Sequence, residues 1–322
     1  MSDVNVALAL GSGAARGWAH IGVIKALEEL GIKINMVAGT SIGSLVGAGY
    51  ASGRLSEMEQ WVKGMNRWEV FNLLDFGFNQ GGLIGGEKVF NYAREQFGAT
   101  RIEDLPITYG AVATDLYSGR EIWLRKGDIF NAARASSAMP GVLAPTAYDG
   151  RWLVDGGLVN PVPVSLCRAL GADFVIAVHL NSQLNTKSLE SRARSIPPQT
   201  EVEQAELEHQ SEDNDQQGMF GNFWAHSQHY YENIVQKFKS NEHKAPGMFG
   251  VMAGAIDIMQ ERITKARMAG DPPDILIQPK LGHIGIMEFE RGDEGIEIGY
   301  ETTTRMKDLI QDEIELYRER RG

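Results

Sequence analysis

The sequence predicts an α/β protein in three layers, with a mainly parallel central sheet and helices on both faces. Three observations lead there. Short, almost wholly apolar runs such as Val4–Leu10 read as strands buried on both sides. Segments with apolar residues at helical spacing alternate with those runs. Two glycine-rich turns each follow a strand and precede a helix.

Taken in order, Val4–Leu10 is the first strand. Arg16–Leu30 carries Val23, Leu27 and Leu30 at helical spacing and stops at Gly31, a C-cap residue. Ile34–Ala38 is a second strand, and Ile42–Tyr50 a helix of small residues suited to close packing. Ile107–Ala113 and Glu121–Leu124 read as strands, with Ser118-Gly119 turning between them. A second turn, Asp149-Gly150, leads into Arg151–Val154. The helix Pro163–Leu170, whose Cys167 reads as a packing residue, precedes the strand Asp173–Leu180.

After His179 the character changes. Asn181–Gln217 is polar, acidic and nearly free of aromatics, the composition of a solvated insertion or linker. Met219–Lys239 then clusters Phe220, Phe223, Trp224, Tyr230, Tyr231 and Phe238. A helix is expected over Met248–Met268, a late strand at Ile275–Gln278 and a charged closing helix at Tyr300–Arg320. The expected organisation is a catalytic core at 1–180, an acidic flexible insertion at 181–217, and a helical segment at 218–322 whose late strand returns to the sheet.

Composition narrows the partners. The net charge of −11 disfavours nucleic acid, which needs a basic surface. Eight of those charges fall between Ser195 and Gln236, a stretch without Lys or Arg. A single cysteine excludes an internal disulfide and suits a reducing compartment. Met36–Ala51, the least polar stretch, is too short and too weakly apolar to span a membrane. The N-terminus runs into a strand with no basic leader, so the expectation is a cytoplasmic protein. Peripheral contact with the inner face of a membrane would have to be apolar, because the chain's charge repels anionic headgroups.

Three features carry chemistry. Gly39-Thr40-Ser41-Ile42-Gly43 is a Gly-x-Ser-x-Gly between a strand and a helix, a turn that holds a serine hydroxyl out as a nucleophile. The helix that follows points its positive end at developing negative charge. Gly11-Ser12-Gly13-Ala14-Ala15-Arg16-Gly17 also joins strand to helix, and its small residues expose backbone N–H groups able to cradle an oxyanion. A dinucleotide loop is the rival reading. It requires glycine where Arg16 stands and an acid where Ala38-Gly39 stand. Asp155-Gly156-Gly157 ends a strand and is weak evidence alone, since turns abound in Asp-Gly. The serine needs a base, however, and the histidines are poorly placed: His20 sits within a helix, and His179, at a strand end, is the best competitor. An aspartate can serve if burial raises its ordinary value near 3.9. No His, Cys or carboxylate spacing suggests a metal site.

In order along the chain, the Gly/Arg loop, Gly39–Gly43, Ala135-Ser136-Ser137-Ala138-Met139-Pro140 and Asp155-Gly156-Gly157 resemble the patatin-like phospholipase family. The likeness is to its bacterial RssA-type members, related to neuropathy-target-esterase-like serine hydrolases, and covers residues 5 to about 180. It implies the patatin-like fold with Ser41 at a nucleophile elbow flanked by Gly39 and Gly43. It implies a catalytic dyad of Ser41 and Asp155 without histidine, the latter followed by Gly156 and Gly157. Gly11, Ser12, Gly13 and Ala14 would form the oxyanion hole, with Arg16 holding the loop. The substrate would be a lipid or other acyl ester, and no cofactor would be needed. One departure stands out: many members carry three successive glycines where Ser12, Gly13 and Ala14 stand, and a Cβ restricts positive φ. Met219–Met268, rich in Met and aromatics, is either an acyl-chain wall or a helical pair packed on the sheet. A hydrolase of soluble thioesters or short esters, and a non-catalytic adaptor, are the alternative functions.

Overall fold

The computed structural model describes residues 4–66, 82–84, 87–97, 100–182 and 248–321. The chain divides into two compact units, Met1–Gln183 with Ala255–Gly322, and Leu184–Gly254. The sheet, its flanking helices and the candidate site belong to the first. The described residues of the second, 248–254, are the opening turns of one helix.

The strands and helices run in the order β1 Val6–Leu10, α1 Ala19–Glu29, β2 Ile34–Thr40, α2 Ile42–Ala51 and α3 Leu55–Gly64. They continue with β3 Gly82–Ile84, α4 Glu87–Phe97, β4 Thr108–Asp115, β5 Glu121–Leu124 and α5 Ile129–Ser136. Next come β6 Gly141–Leu143, β7 Thr146–Tyr148, β8 Arg151–Asp155, α6 Val164–Ala169 and β9 Phe174–Val178. The last are α7 Met248–Gly270, β10 Ile275–Ile277, α8 Gly292–Arg305 and α9 Lys307–Arg321. The main sheet has eight strands in the order β10-β9-β1-β2-β4-β8-β7, with β5 on the other flank of β4. β10, β9, β1, β2 and β4 are parallel, and β5, β7 and β8 join antiparallel. The late strand expected at Ile275–Gln278 does return to the sheet, beside β9.

Alternation along β1 explains the layers. Val6, Leu8 and Leu10 pack with residues of α1, α2 and α8 on one face, while Ala7 and Ala9 meet Val164, Leu166 and Cys167 of α6 on the other. Small alanines let α6 approach closely. Cys167 is wholly buried and burial pushes its thiol up to about 12, so it is an inert packing residue.

The structure differs from expectation in two helices. The first helix begins as a tight 3-10 turn, Ala14–Trp18, before α1 proper. The closing helix is two, α8 and α9, with α8 starting at Gly292, eight residues before Tyr300. Glycines of α8 serve a crossing with α1. A Cβ on Gly22 would run into the Ile296 carbonyl, and one on Gly299 into the Ala19 carbonyl. Most of the acidic insertion, from 183 on, and the aromatic segment Met219–Lys239 lie outside the described residues.

Candidate active site

Strand register builds the site. Val112 of β4 pairs with Thr40 of β2 on one flank and Trp123 of β5 on the other. Ala113 pairs with Asp155 of β8 and Ile122 of β5. β2 and β8 therefore share one flank of β4, running in opposite directions and meeting end to end. Their last residues deliver Ser41 and Asp155 to the same point. This lies at the carboxyl ends of the parallel strands, where open α/β sheets form their crevices.

Ser41 takes φ 57 and ψ −127, a conformation that costs a non-glycine residue roughly 1–3 kcal/mol. The neighbours hold it there. A Cβ on Gly39 would strike the Ser44 backbone, and one on Gly43 the Leu10 carbonyl, so both glycines are required by contact. The Ser41 N–H donates to Ser136 Oγ at 2.9 Å, and Ser44 Oγ donates to the Ser41 carbonyl at 2.6 Å.

Ser41 Oγ donates to Asp155 Oδ2 at 2.6 Å, and the Gly157 N–H donates to Asp155 Oδ1 at 2.7 Å. Both residues are buried. Burial pushes the Asp155 carboxyl up to about 6, outweighing the two hydrogen bonds that favour its ionised form. Gly156 has no room for a side chain against the Val112 carbonyl. The strand end is pinned by the Thr114 hydroxyl, which donates to the Asp155 carbonyl at 2.8 Å, and by the Asp155 N–H, which donates to Ala138 O at 2.9 Å. The block Ala135–Pro140 thus touches both partners, Ser41 through Ser136 and Asp155 through Ala138.

The loop after β1 is braced from several sides. The Gly11 N–H donates to Val178 O at 3.1 Å and the Ser12 N–H to Pro161 O at 2.9 Å. These two amides, expected among the oxyanion donors, are therefore occupied in holding the loop. Ala15 and Arg16 N–H groups are engaged too, with Ile286 O and Gly13 O. Among the described residues the amides of Gly13 and Ala14, and that of Ile42 at the start of α2, have no partner. Ala14 takes φ 49, a left-handed conformation that favours glycine.

Arg16 is buried, with Nε donating to Ile284 O at 2.9 Å and Nη1 to Asn181 Oδ1 at 3.1 Å. Nη1 also lies 3.6 Å from Asp257. One guanidinium so ties the loop to the segment after β9, to α7 and to the segment after β10. His20 is wholly buried, and desolvation lowers it to about 4, so its ring is neutral. A carbonyl can only accept, so Nε2–H donates to Gly11 O at 2.8 Å. His179 Nε2 lies 2.9 Å from Glu261 Oε2, close but poorly aligned for a hydrogen bond. Neither histidine partners Ser41. Sequence reasoning named Ser136 only within a motif and missed its contact with Ser41, Gln260 and the bracing role of His20, which only tertiary contact reveals. No group of three or more His, Cys or acidic residues among the described residues is arranged to hold a metal. No described helix is long and apolar enough to cross a membrane.

The chain is similar to several known proteins. Residues 8–168 match the patatin-like phospholipase family. An uncharacterized NTE family protein of Mycobacterium bovis is 36% identical over 335 residues, covering 96% of this chain and 93% of its own. The neuropathy target esterase sws of Drosophila melanogaster is 35% identical over 189 residues, covering 56% of this chain but 13% of that protein. Among solved structures, VipD from Legionella pneumophila aligns with TM-score 0.46 and 12% identity, over 95% of this chain and 67% of that one. The chain belongs to the patatin-like phospholipase family.

Proposed function

We propose that the protein hydrolyses lipid acyl esters through an acyl-enzyme, with Ser41 as nucleophile and Asp155 as base. The observation that carries this reading is the buried 2.6 Å hydrogen bond from Ser41 to Asp155, on a strained turn at the start of a helix. At about 6, Asp155 is ionised at neutral pH yet more basic than an ordinary carboxylate, as a general base should be.

As Ser41 Oγ bonds to the ester carbon, its proton passes to Asp155 and the carbonyl electrons move onto oxygen. The Gly13 and Ala14 amides receive that oxyanion together with Ile42, the residue after the nucleophile. Each donor contributes roughly 2.7–4 kcal/mol to the transition state. The intermediate collapses, the ester C–O bond breaks, and Asp155 returns the proton to the departing alkoxide. Water then gives a proton to Asp155 and attacks the acyl carbon, releasing the fatty acid and restoring Ser41. The roles divide accordingly: Gly13 and Ala14 donate, Gly11 and Ser12 fix the loop, and Arg16 anchors it.

Membership of the patatin-like phospholipase family supports a lipid acyl ester as the substrate. Fatty-acid release from phospholipid vesicles and from a short soluble ester tests this. The expected result is hydrolysis of both by the wild type and of neither by Ser41→Ala. Turnover of the soluble ester alone would assign the chain to soluble acyl substrates instead.

A further inference from the structure

Helix α7 lies beyond the residues that match the family, yet it lays a row of polar side chains along the loop after β1. Asp257, Gln260, Glu261 and Thr264 follow the i, i+3, i+4, i+7 spacing of one helical face. Gln260, Glu261 and Thr264 are each no more than 3% exposed. Polar groups buried so deeply need partners or a purpose. Asp257 reaches Arg16, and Glu261 faces His179 and Lys265. Thr264 donates back to the Gln260 carbonyl at 2.8 Å.

Gln260 is the informative member. Its Oε1 accepts from Ser12 Oγ at 2.8 Å. This hydroxyl and its carboxamide partner are both buried and form a matched pair. Gln260 Nε2 is buried without a partner among the described residues. It abuts Gly157, where a Cβ would collide with it and would also lie 2.9 Å from Asp155 Oδ1. One carboxamide so bridges the loop carrying the free Gly13 and Ala14 amides and the Gly157 peptide that holds the base. Its oxygen faces the loop, and its nitrogen, the positive end of the dipole, lies against Gly157, whose N–H holds Asp155.

We propose that Gln260 is a positioning residue of the hydrolytic site: it fixes the oxyanion loop through Ser12 and favours ionised Asp155 through its amide nitrogen. The inference rests on the Ser41–Asp155 reading. Gln260→Glu keeps an acceptor for Ser12 but replaces the positive end with negative charge. A nearby negative charge disfavours ionisation of Asp155, so the acid limb of the kcat profile should move to higher pH, by at least about half a unit. Gln260→Leu removes both contacts and should lower kcat about tenfold or more on a short soluble ester, with KM within about twofold. In a double-mutant cycle, Ser12→Gly and Gln260→Leu should be non-additive, because they cut the same link.

Reaction of Ser41 with a fluorophosphonate is measured first on the wild type. No adduct on Ser41 would overturn the reading beneath, and the inference with it. If the wild type is labelled, an unmoved pH limb in Gln260→Glu together with additive losses would overturn the role of Gln260. Should Gln260→Leu fail to fold, Gln260→Glu and Ser12→Gly, which introduce no apolar bulk, decide the question through the pH limb and kcat.

Discussion

Thr40 and Asp155 pair with neighbouring residues of one strand, Val112 and Ala113, and on the same flank of it. Two strands running in opposite directions thus end against each other. The serine after the first meets the carboxylate at the end of the second, across 114 residues of sequence. The Ser41–Asp155 pairing is fixed by backbone register, so side-chain rotamers need supply only the last 2.6 Å.

The first prediction concerns pH. The proposed mechanism requires ionised Asp155, so kcat should fall below a midpoint near pH 6, the value to which burial raises this carboxyl. Rate profiles on a neutral soluble ester check this. A midpoint near 4, the range of an exposed carboxylate, would mean that Asp155 is not the titrating base.

The same shift has a stability consequence of opposite sense. The folded value, about 6, lies above the usual 3.8, so between them the native state binds more protons than the unfolded chain. Asp155's contribution is therefore most favourable below pH 4 and is lost as pH rises through 6. Asp155→Asn should be inactive yet more stable at pH 8, by up to about 3 kcal/mol. That gain should vanish near pH 4. Denaturant titrations of both proteins at the two pH values measure it.

Ala14 provides a test of strain. Its φ of 49 is a left-handed conformation, which costs an L-residue roughly 1–2 kcal/mol and glycine little. Ala14→Gly should raise the unfolding midpoint by an amount worth about 0.5–1 kcal/mol, after glycine's greater unfolded-state entropy is offset. A lowered midpoint would show that the Ala14 methyl group contributes packing that outweighs the strain.

Much of the fold is legible in the sequence because its signals are local. The apolar run at β1, the C-cap at Gly31 (φ 74) and the Asp149-Gly150 turn, both residues at positive φ, stand where the pattern puts them. α8 was not legible: Gly292, Gly295 and Gly299 are turn signals by composition, and only the crossing with α1 makes them helical. Ser41 and Asp155 were legible through motifs, each tied to a strand end. The roles of Ser136, His20 and Gln260 were not, since they depend on contacts made 95, 9 and 248 residues away. Asp155 needed its buried environment to become a plausible base, and burial is a property of the folded chain.

The α1–α8 crossing separates folding from chemistry. Gly299→Ala would press a methyl group onto the Ala19 carbonyl. It should destabilise by about 1–3 kcal/mol while leaving kcat of the folded fraction unchanged. Thermal unfolding with kinetics on the same samples checks both halves, and a lowered kcat would tie this crossing to the site.

The most direct test of the central claim is fluorophosphonate labelling with the modified residue mapped, in the wild type, Asp155→Asn and His179→Gln. In the proposed mechanism the base acts on Ser41 through its hydrogen bond to Asp155, while His179 faces Glu261. The account predicts an adduct on Ser41 in the wild type, nearly the same rate in His179→Gln, and a rate at least about a hundredfold lower in Asp155→Asn. An adduct on another residue, or a His179→Gln protein as unreactive as Asp155→Asn while still folded, would contradict the Ser41–Asp155 dyad.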